Sequence, residues 1–333
     1  MVDKPKFKEV PVREAVGLVL PHDMTQILPG EFKGRLFKKG HVIREEDIEP
    51  LLSIGKEHIY IMEMPEGHIH ENDAGMRIAK AVAGQNLTLT EPNEGKVSLK
   101  STCLGLAKIN EEAIHAINEL EGVALATLES NQVVKPGVAL AAARIIPLIM
   151  EEKRIEHVEE IAARFGPGIV HVIPFSAKKV GVVTTGGEVF SGRIGDKFGP
   201  AVRAKVEALG STVVEQRFAP DDKEKIEQEI RYFVDLGVDL ILVTGGMSVD
   251  PDDRTPGAIV GAGAQVVRYG TPMLPGSMLL VAYIGETPVM GLPGAVMHEP
   301  FTSFDLFLPR ILAGERIEEK EMTRLGYGGL RKS

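Results

Sequence analysis

Apolar positions change their spacing along the chain, and the change marks its organisation. From about residue 169 onward, short apolar runs alternate with amphipathic stretches. Val180-Gly181-Val182-Val183-Thr184 and Thr212-Val213-Val214 read as strands, and Leu240-Ile241-Leu242-Val243 is apolar at consecutive positions, as a strand buried on both faces is. Between them Phe198, Val202, Val206 and Leu209 recur at helical spacing, and so do Ile226, Ile230, Phe233 and Val234. Gly210 closes the first of these helices, and Asp221 with Glu224 resembles a capping box for the second. Thr255 reads as an N-cap with Pro256 at the first helical position. Gln265-Val266-Val267 predicts a short strand, residues 278–284 and 289–292 flank a hairpin turn at Gly285-Glu286-Thr287, and residues 296–312 predict a last helix. Alternation of this kind predicts βαβ units in an α/β fold with a mostly parallel sheet.

The earlier part reads differently. Residues 1–75 predict a small β-rich unit, and residues 76–164 an α+β unit ending in a charged connector helix. The α/β domain then spans residues 165–315, and residues 316–333 form a loosely held, charged and glycine-rich tail. Residues 138–146 fit either a strand or a small-residue helix. His68 and His70 share a face of a predicted strand. Two imidazoles are too few for a metal site, so a solvated surface is expected there.

Composition narrows the function classes. The formal net charge of −9 excludes a general basic surface for nucleic acid, and the absence of Trp argues against an aromatic stacking platform for bases. The one cysteine, Cys103, rules out an internal disulfide, reads as a small buried apolar residue, and fits a reducing cytoplasm. The first ten residues are charged and lack the apolar core of a signal peptide, and no apolar run reaches the length that spans a bilayer.

Candidate chemistry gathers at predicted strand ends, where open α/β sheets hold ligands. Four such ends carry glycine turns: Thr185-Gly186-Gly187-Glu188, Thr244-Gly245-Gly246-Met247-Ser248, Pro275-Gly276-Ser277 and Pro293-Gly294. Together they predict a rim of backbone N–H donors suited to phosphate, although neither a P-loop nor a GxGxxG fingerprint is present. Asp196, Asp250, Asp252 and Asp253 are the acids beside that rim. A hard cation such as Mg²⁺, held by Asp250 and Asp253, reconciles aspartates with an anionic ligand. Helix capping by Asp196 and Asp253 is an equal reading of the same residues. No serine lies in a GxSxG elbow, so a serine nucleophile is not supported.

The same residues carry a family resemblance. VGVVTTGGEV at 180–189, GRIGDKFGPAV at 192–202, DLILVTGGMSVDPDDRTPGAI at 239–259 and MGLPGAV at 290–296 resemble the molybdenum-cofactor biosynthesis domain. That domain is shared by molybdopterin adenylyltransferases, molybdopterin molybdotransferases and gephyrin. The resemblance implies a three-layer α/β/α sandwich, molybdopterin or its adenylylated form as ligand or substrate, and a homo-oligomer. It also implies a molybdoenzyme or another protein of the cofactor pathway as partner. It assigns the phosphate end of the pterin to Thr244-Gly245-Gly246 and Ser248, and catalysis or metal-assisted transfer to Asp196 and Asp253. Two positions depart from the molybdotransferases. Leu274-Pro275-Gly276-Ser277 lacks the lysines of their KPGK-like turn, and Leu292-Pro293-Gly294-Ala295-Val296 replaces LPGNP. A neutral turn holds an oxyanion poorly, so molybdate insertion is disfavoured. Three functions follow as expectations: a pterin-binding protein of cofactor maturation with nucleotide transfer as its reaction, a non-catalytic carrier or sensor, and a nucleotide pyrophosphatase of the competence-damage-inducible type.

Overall fold

The computed structural model describes residues 7–21, 23–28, 32–62, 64–248 and 254–331. The chain divides into two compact units, Met1–Cys103 with Ala107–Val172, and Leu104–Leu106 with Ile173–Ser333. Among the described residues no helix is long and apolar enough to cross a membrane.

The first unit holds two large apolar clusters and a small one of Val19 and Ile149. One gathers Val10, Val12, Leu20, Ile43, Leu51, Ile59 and Ile61. Strand Phe7–Pro11 pairs antiparallel with His58–Met62 beside it. The other lies between a four-stranded antiparallel sheet and the helices Glu71–Val82, Glu111–Asn118 and Glu152–Phe165. The segment that fitted either strand or helix is the strand Ala139–Ile145 in that sheet, paired on both sides. Small side chains suit a central strand here because helix Glu71–Val82 packs directly on it. Cys103 is half-buried and free rather than fully enclosed. His70 is 1% exposed, so the solvated surface expected around it does not exist. Its strand, His68–His70, is covered by pairing with Ile149–Glu151.

The second unit is built on a six-stranded sheet. Its strands are β1 (Lys179–Thr185), β2 (Thr212–Ala219), β3 (Leu240–Thr244), β4 (Gln265–Tyr269), β5 (Leu280–Ile284) and β6 (Thr287–Leu292). Their order is β2-β1-β3-β6-β5-β4. The first four in that order run parallel, and the β6-β5-β4 edge is antiparallel. Helices α1 (Phe198–Ala208), α2 (Lys223–Leu236), α3 (Thr255–Gly261) and α4 (Ser303–Leu312) cover the sheet. Side chains of α1 and α4 share one cluster with Val180, Val182, Leu240 and Leu242. Those of α2 and α3 share another with Val183, Ile241 and Val243. Alternate residues of one strand thus enter opposite cores, because side chains on a strand point to alternate faces. This is the expected three-layer α/β/α sandwich.

Gly181 is the one position in β1 without a side chain. A Cβ there would lie 2.5 Å from Cγ of Phe233, which is fully buried. The ring therefore lies directly on the strand backbone. Three local expectations shift for physical reasons. Helix α4 starts at Ser303 rather than 296, because Thr302 and Asp305 form a reciprocal cap there, and residues 294–297 are only a 3₁₀ turn. Asp222, not Asp221, caps α2 by accepting the Lys225 N–H. The tail is docked, not loose: Met322 is fully buried, and Arg310 holds both Glu315 and Glu321. Arg310→Ala is expected to release the tail, raising hydrogen exchange over residues 315–323 while leaving β1 and β3 protected.

Candidate functional site

Strand direction decides where the four glycine turns meet. Parallel pairing sets Thr184 beside Thr244, and Thr244 beside Leu292. The turns leaving β1, β3 and β6 therefore share the carboxyl edge of the sheet. The fourth turn, Pro275-Gly276-Ser277, precedes β5, which runs antiparallel and sets Leu280 beside Gly291. Its reversed direction brings it to that same edge. The chain leaves β1 to reach β2 on one side and returns to β3 on the other, so β1 and β3 flank the reversal of strand order where ligands of doubly wound sheets bind.

The turns after β1 and β3 interlock. Gly245 has φ of +88° and Gly246 +57°, left-handed values that favour glycine. A Cβ on Gly245 would lie 2.5 Å from the Thr185 carbonyl oxygen and 2.7 Å from its Oγ1. Thr255 joins them: its hydroxyl donates to the Gly245 carbonyl at 2.8 Å and lies 3.4 Å from Thr185 Oγ1. Arg254 occupies the cap position of α3, and Thr255 its first turn. The Thr255 hydroxyl therefore ties down the glycine turn instead of capping its own helix. Tyr269, at the end of β4, donates its hydroxyl to the Met247 carbonyl at 2.6 Å. The Met247 side chain is buried in the core cluster of the α2–α3 face, while Ser248 stays exposed.

Asp196 is held by three donors. Its carboxylate accepts the N–H groups of Phe198 and Gly199 at the start of α1, and Gln216 Nε2 at 2.6 Å. Gln216 also donates to Thr184 Oγ1, which receives the Thr244 hydroxyl at 3.2 Å. A chain of polar contacts thus runs from Asp196 across β2 and β1 to β3. Asp196 acts as the cap of α1. Asp196→Ala is expected to lower the unfolding free energy by about 1 kcal/mol, as loss of a helix cap does, read by urea denaturation.

Beside this network, Asp221 accepts the Gly187 N–H at 2.7 Å, so one donor of the first glycine turn already faces a carboxylate. Glu188 is exposed on the short helix Gly187–Phe190. Gly276 is buried, with Ser303 Oγ donating to its carbonyl, and Ser277 accepts the Thr271 N–H through its own carbonyl. Pro293 is buried and Gly294 exposed at the rim. Asp250, Asp252 and Asp253 lie outside the described residues. Among the described residues no group of three His, Cys, Asp or Glu is placed to hold a metal. Sequence reasoning passed over Gln216 and Tyr269, and read Asp221 and Thr255 only as helix caps. Each acts on a segment distant in sequence, so no local pattern marked that contact.

Comparison with known proteins places this part of the chain. Residues 181–313 match the model of a family described as a probable molybdopterin binding domain. Residues 181–313 belong to that domain family. Residues 9–63 match a domain of unknown function. Molybdopterin molybdenumtransferase of Staphylococcus aureus (strain COL) is 30% identical over 155 residues, covering 44% of this chain and 36% of that protein. A CinA-like protein of Mycobacterium avium is 37% identical over 83 residues, covering 25% of this chain and 19% of that one. The chain thus spans from about a fifth to just over a third of the length of these relatives. The crystal structure of the molybdopterin biosynthesis enzyme MoaB from Thermus thermophilus aligns with 41% of this chain and 98% of its own at 25% identity, with a TM-score of 0.35.

Proposed function

We propose that the second unit binds molybdopterin by its phosphate end, at the carboxyl edge of the sheet between β1 and β3, and acts in molybdenum-cofactor maturation. The observation that carries this reading is the interlock of Thr185, Gly245 and Thr255. It fixes a left-handed glycine turn at the reversal of strand order, where successive N–H groups form an anion-binding concavity. Arg193, Lys197 and Arg254 are exposed on the loops leaving β1 and β3 and supply the positive charge that the acids of this edge oppose. Because Asp221 already faces Gly187, the β3 turn is the better phosphate seat.

Binding without turnover is favoured over adenylyl transfer. A carboxylate that positions a Mg²⁺–nucleotide needs a free lone pair directed at the metal. Asp196, the one described residue of the expected catalytic pair, directs its oxygens to two backbone N–H groups and Gln216. Those three donors take up most of the acceptor sites of the Asp196 carboxylate and leave little of it for a cation. Calorimetry with molybdopterin and with its adenylylated form tests the proposal. Micromolar binding of either supports it, and absence of binding to both rejects it. Incubation with ATP, Mg²⁺ and molybdopterin is expected to give no adenylylated pterin; stoichiometric product would restore the catalytic reading.

A further inference from the structure

The first unit carries a polar cavity that the pterin reading does not use. Its volume is about 320 Å³, at the small end of the range of ligand pockets. Five separate segments meet there: the chain at Asp23, residues 38–40, the strand-to-helix junction at 70–72, the hairpin turn at 93–96, and residues 144–148. Lys38, Lys39 and Arg144 face Asp23, Glu71 and Glu94 across it.

Two of these charges serve the loops themselves. Lys38 donates to Asn93 Oδ1 at 2.8 Å, and Asp23 accepts the Lys39 N–H at 2.7 Å. The other lining charges are two cations, Lys39 and Arg144, and two carboxylates, Glu71 and Glu94; Arg144 Nε also donates to the Ile145 carbonyl at 3.2 Å. Arg144 approaches Glu71 only to 3.8 Å, beyond a hydrogen bond. Glu71 is 8% exposed, and burial pushes its carboxyl up while Arg144 and Lys39 pull it down. A carboxylate removed from water in this way is costly unless a cation completes it.

A buried histidine stands next to the cavity without lining it. His70 caps helix Glu71–Val82 by accepting the Asn72 N–H on Nδ1 at 3.2 Å. That contact fixes the neutral tautomer with its proton on Nε2. The Nε2–H is buried and has no partner, the one such side-chain atom among the described residues. It faces the bare Cα of Gly40 together with Glu71 Oε1 and Leu148 Cδ1, two groups that line the cavity. A Cβ on Gly40 would lie 3.4 Å from His70 Nε2 and 3.1 Å from Glu71 Oε1; one on Gly95 would lie 2.8 Å from Glu71 Oε2. Both glycines have left-handed φ, so two loops bring backbone rather than side chain against this donor and acceptor pair.

We propose that this cavity binds a small zwitterion of the α-amino acid class. Its carboxylate is held by Lys39 and Arg144, and its ammonium by Glu71 and Glu94. A ligand of either single charge leaves one pair of the lining unmatched, whereas a zwitterion matches both. The reading is independent of pterin binding in the second unit.

The test uses the full chain. The twenty amino acids are screened by thermal shift, hits are titrated by calorimetry, and each hit is compared with its deaminated and decarboxylated analogues. At least one amino acid is expected to bind with a Kd below about 1 mM, and both analogues to bind at least about tenfold more weakly. Arg144→Gln changes a half-exposed side chain and is expected to leave the fold intact while weakening binding about tenfold. Glu71→Gln tests the ammonium side in the same way. No binding up to about 10 mM, an analogue of single charge binding equally well, or affinity unchanged in both variants would each overturn the proposal.

Discussion

Gly245→Ala is expected to abolish pterin binding and to destabilise the second unit by about 2–4 kcal/mol. Two costs combine. At φ of +88° any side chain strains the backbone, and the new Cβ would sit 2.5 Å from the Thr185 carbonyl oxygen. That oxygen belongs to β1 and cannot withdraw without breaking the sheet. The turn must open instead, and the Thr255 hydroxyl then loses its acceptor. The phosphate seat and the interlock are the same few atoms, so affinity should fall at least about a hundredfold even where the chain stays folded. Calorimetry well below the melting temperature separates the two effects. Thr255→Val, which removes the hydroxyl but keeps the shape, should weaken binding less. Wild-type affinity in Gly245→Ala would show that the pterin sits elsewhere.

Phe233→Ala carries the largest expected loss of stability, about 3–5 kcal/mol. The ring is fully buried between α2 and the sheet, against Val183 and Ile241 in the same cluster and directly over Gly181. Its removal leaves a void beneath the strand that carries Thr185, and small domains have only about 5–15 kcal/mol in total. The converse substitution, Gly181→Ala, should cost about 1–3 kcal/mol by forcing the ring off the strand. In a Phe233→Leu background the same methyl has room, so the two changes should be strongly non-additive. Hydrogen exchange over residues 179–185 in urea reads this unit alone, which is needed because a chain of two units does not unfold in one step. Additive costs would mean that the ring and the strand do not touch.

Much of this was legible along the chain. Apolar runs at Val180 and Leu240 marked central parallel strands, because a strand covered on both faces has no polar alternation to keep, whereas the edge strand Thr212–Ala219 leaves Val214 and Phe218 exposed. Helix stripes such as Ile226, Ile230 and Phe233 marked what covers them. The glycine turns were visible as breaks in those runs. Their convergence was legible only as an expectation, since one turn reaches the edge through a strand that runs backward.

Other readings failed where a side chain's partner lies far away in sequence. Thr255 looked like a helix cap, and its hydroxyl is instead bound to Gly245. Asp221 looked like half of a capping box, and it faces Gly187 across 34 residues. His70 looked solvated, because a histidine in a short polar strand carries no sign of the strand that will cover it.

Local spacing and residue type determined which segments are strands, which are helices, and where the chain turns, since those choices depend on neighbours a few positions apart. Tertiary structure alone decided that Asp196 spends its carboxylate on α1 and Gln216, that Thr185, Gly245 and Thr255 form one knot, and that His70 lies buried with an unmatched proton. Those outcomes depend on strand order and direction, which bring together atoms that the sequence holds tens of residues apart.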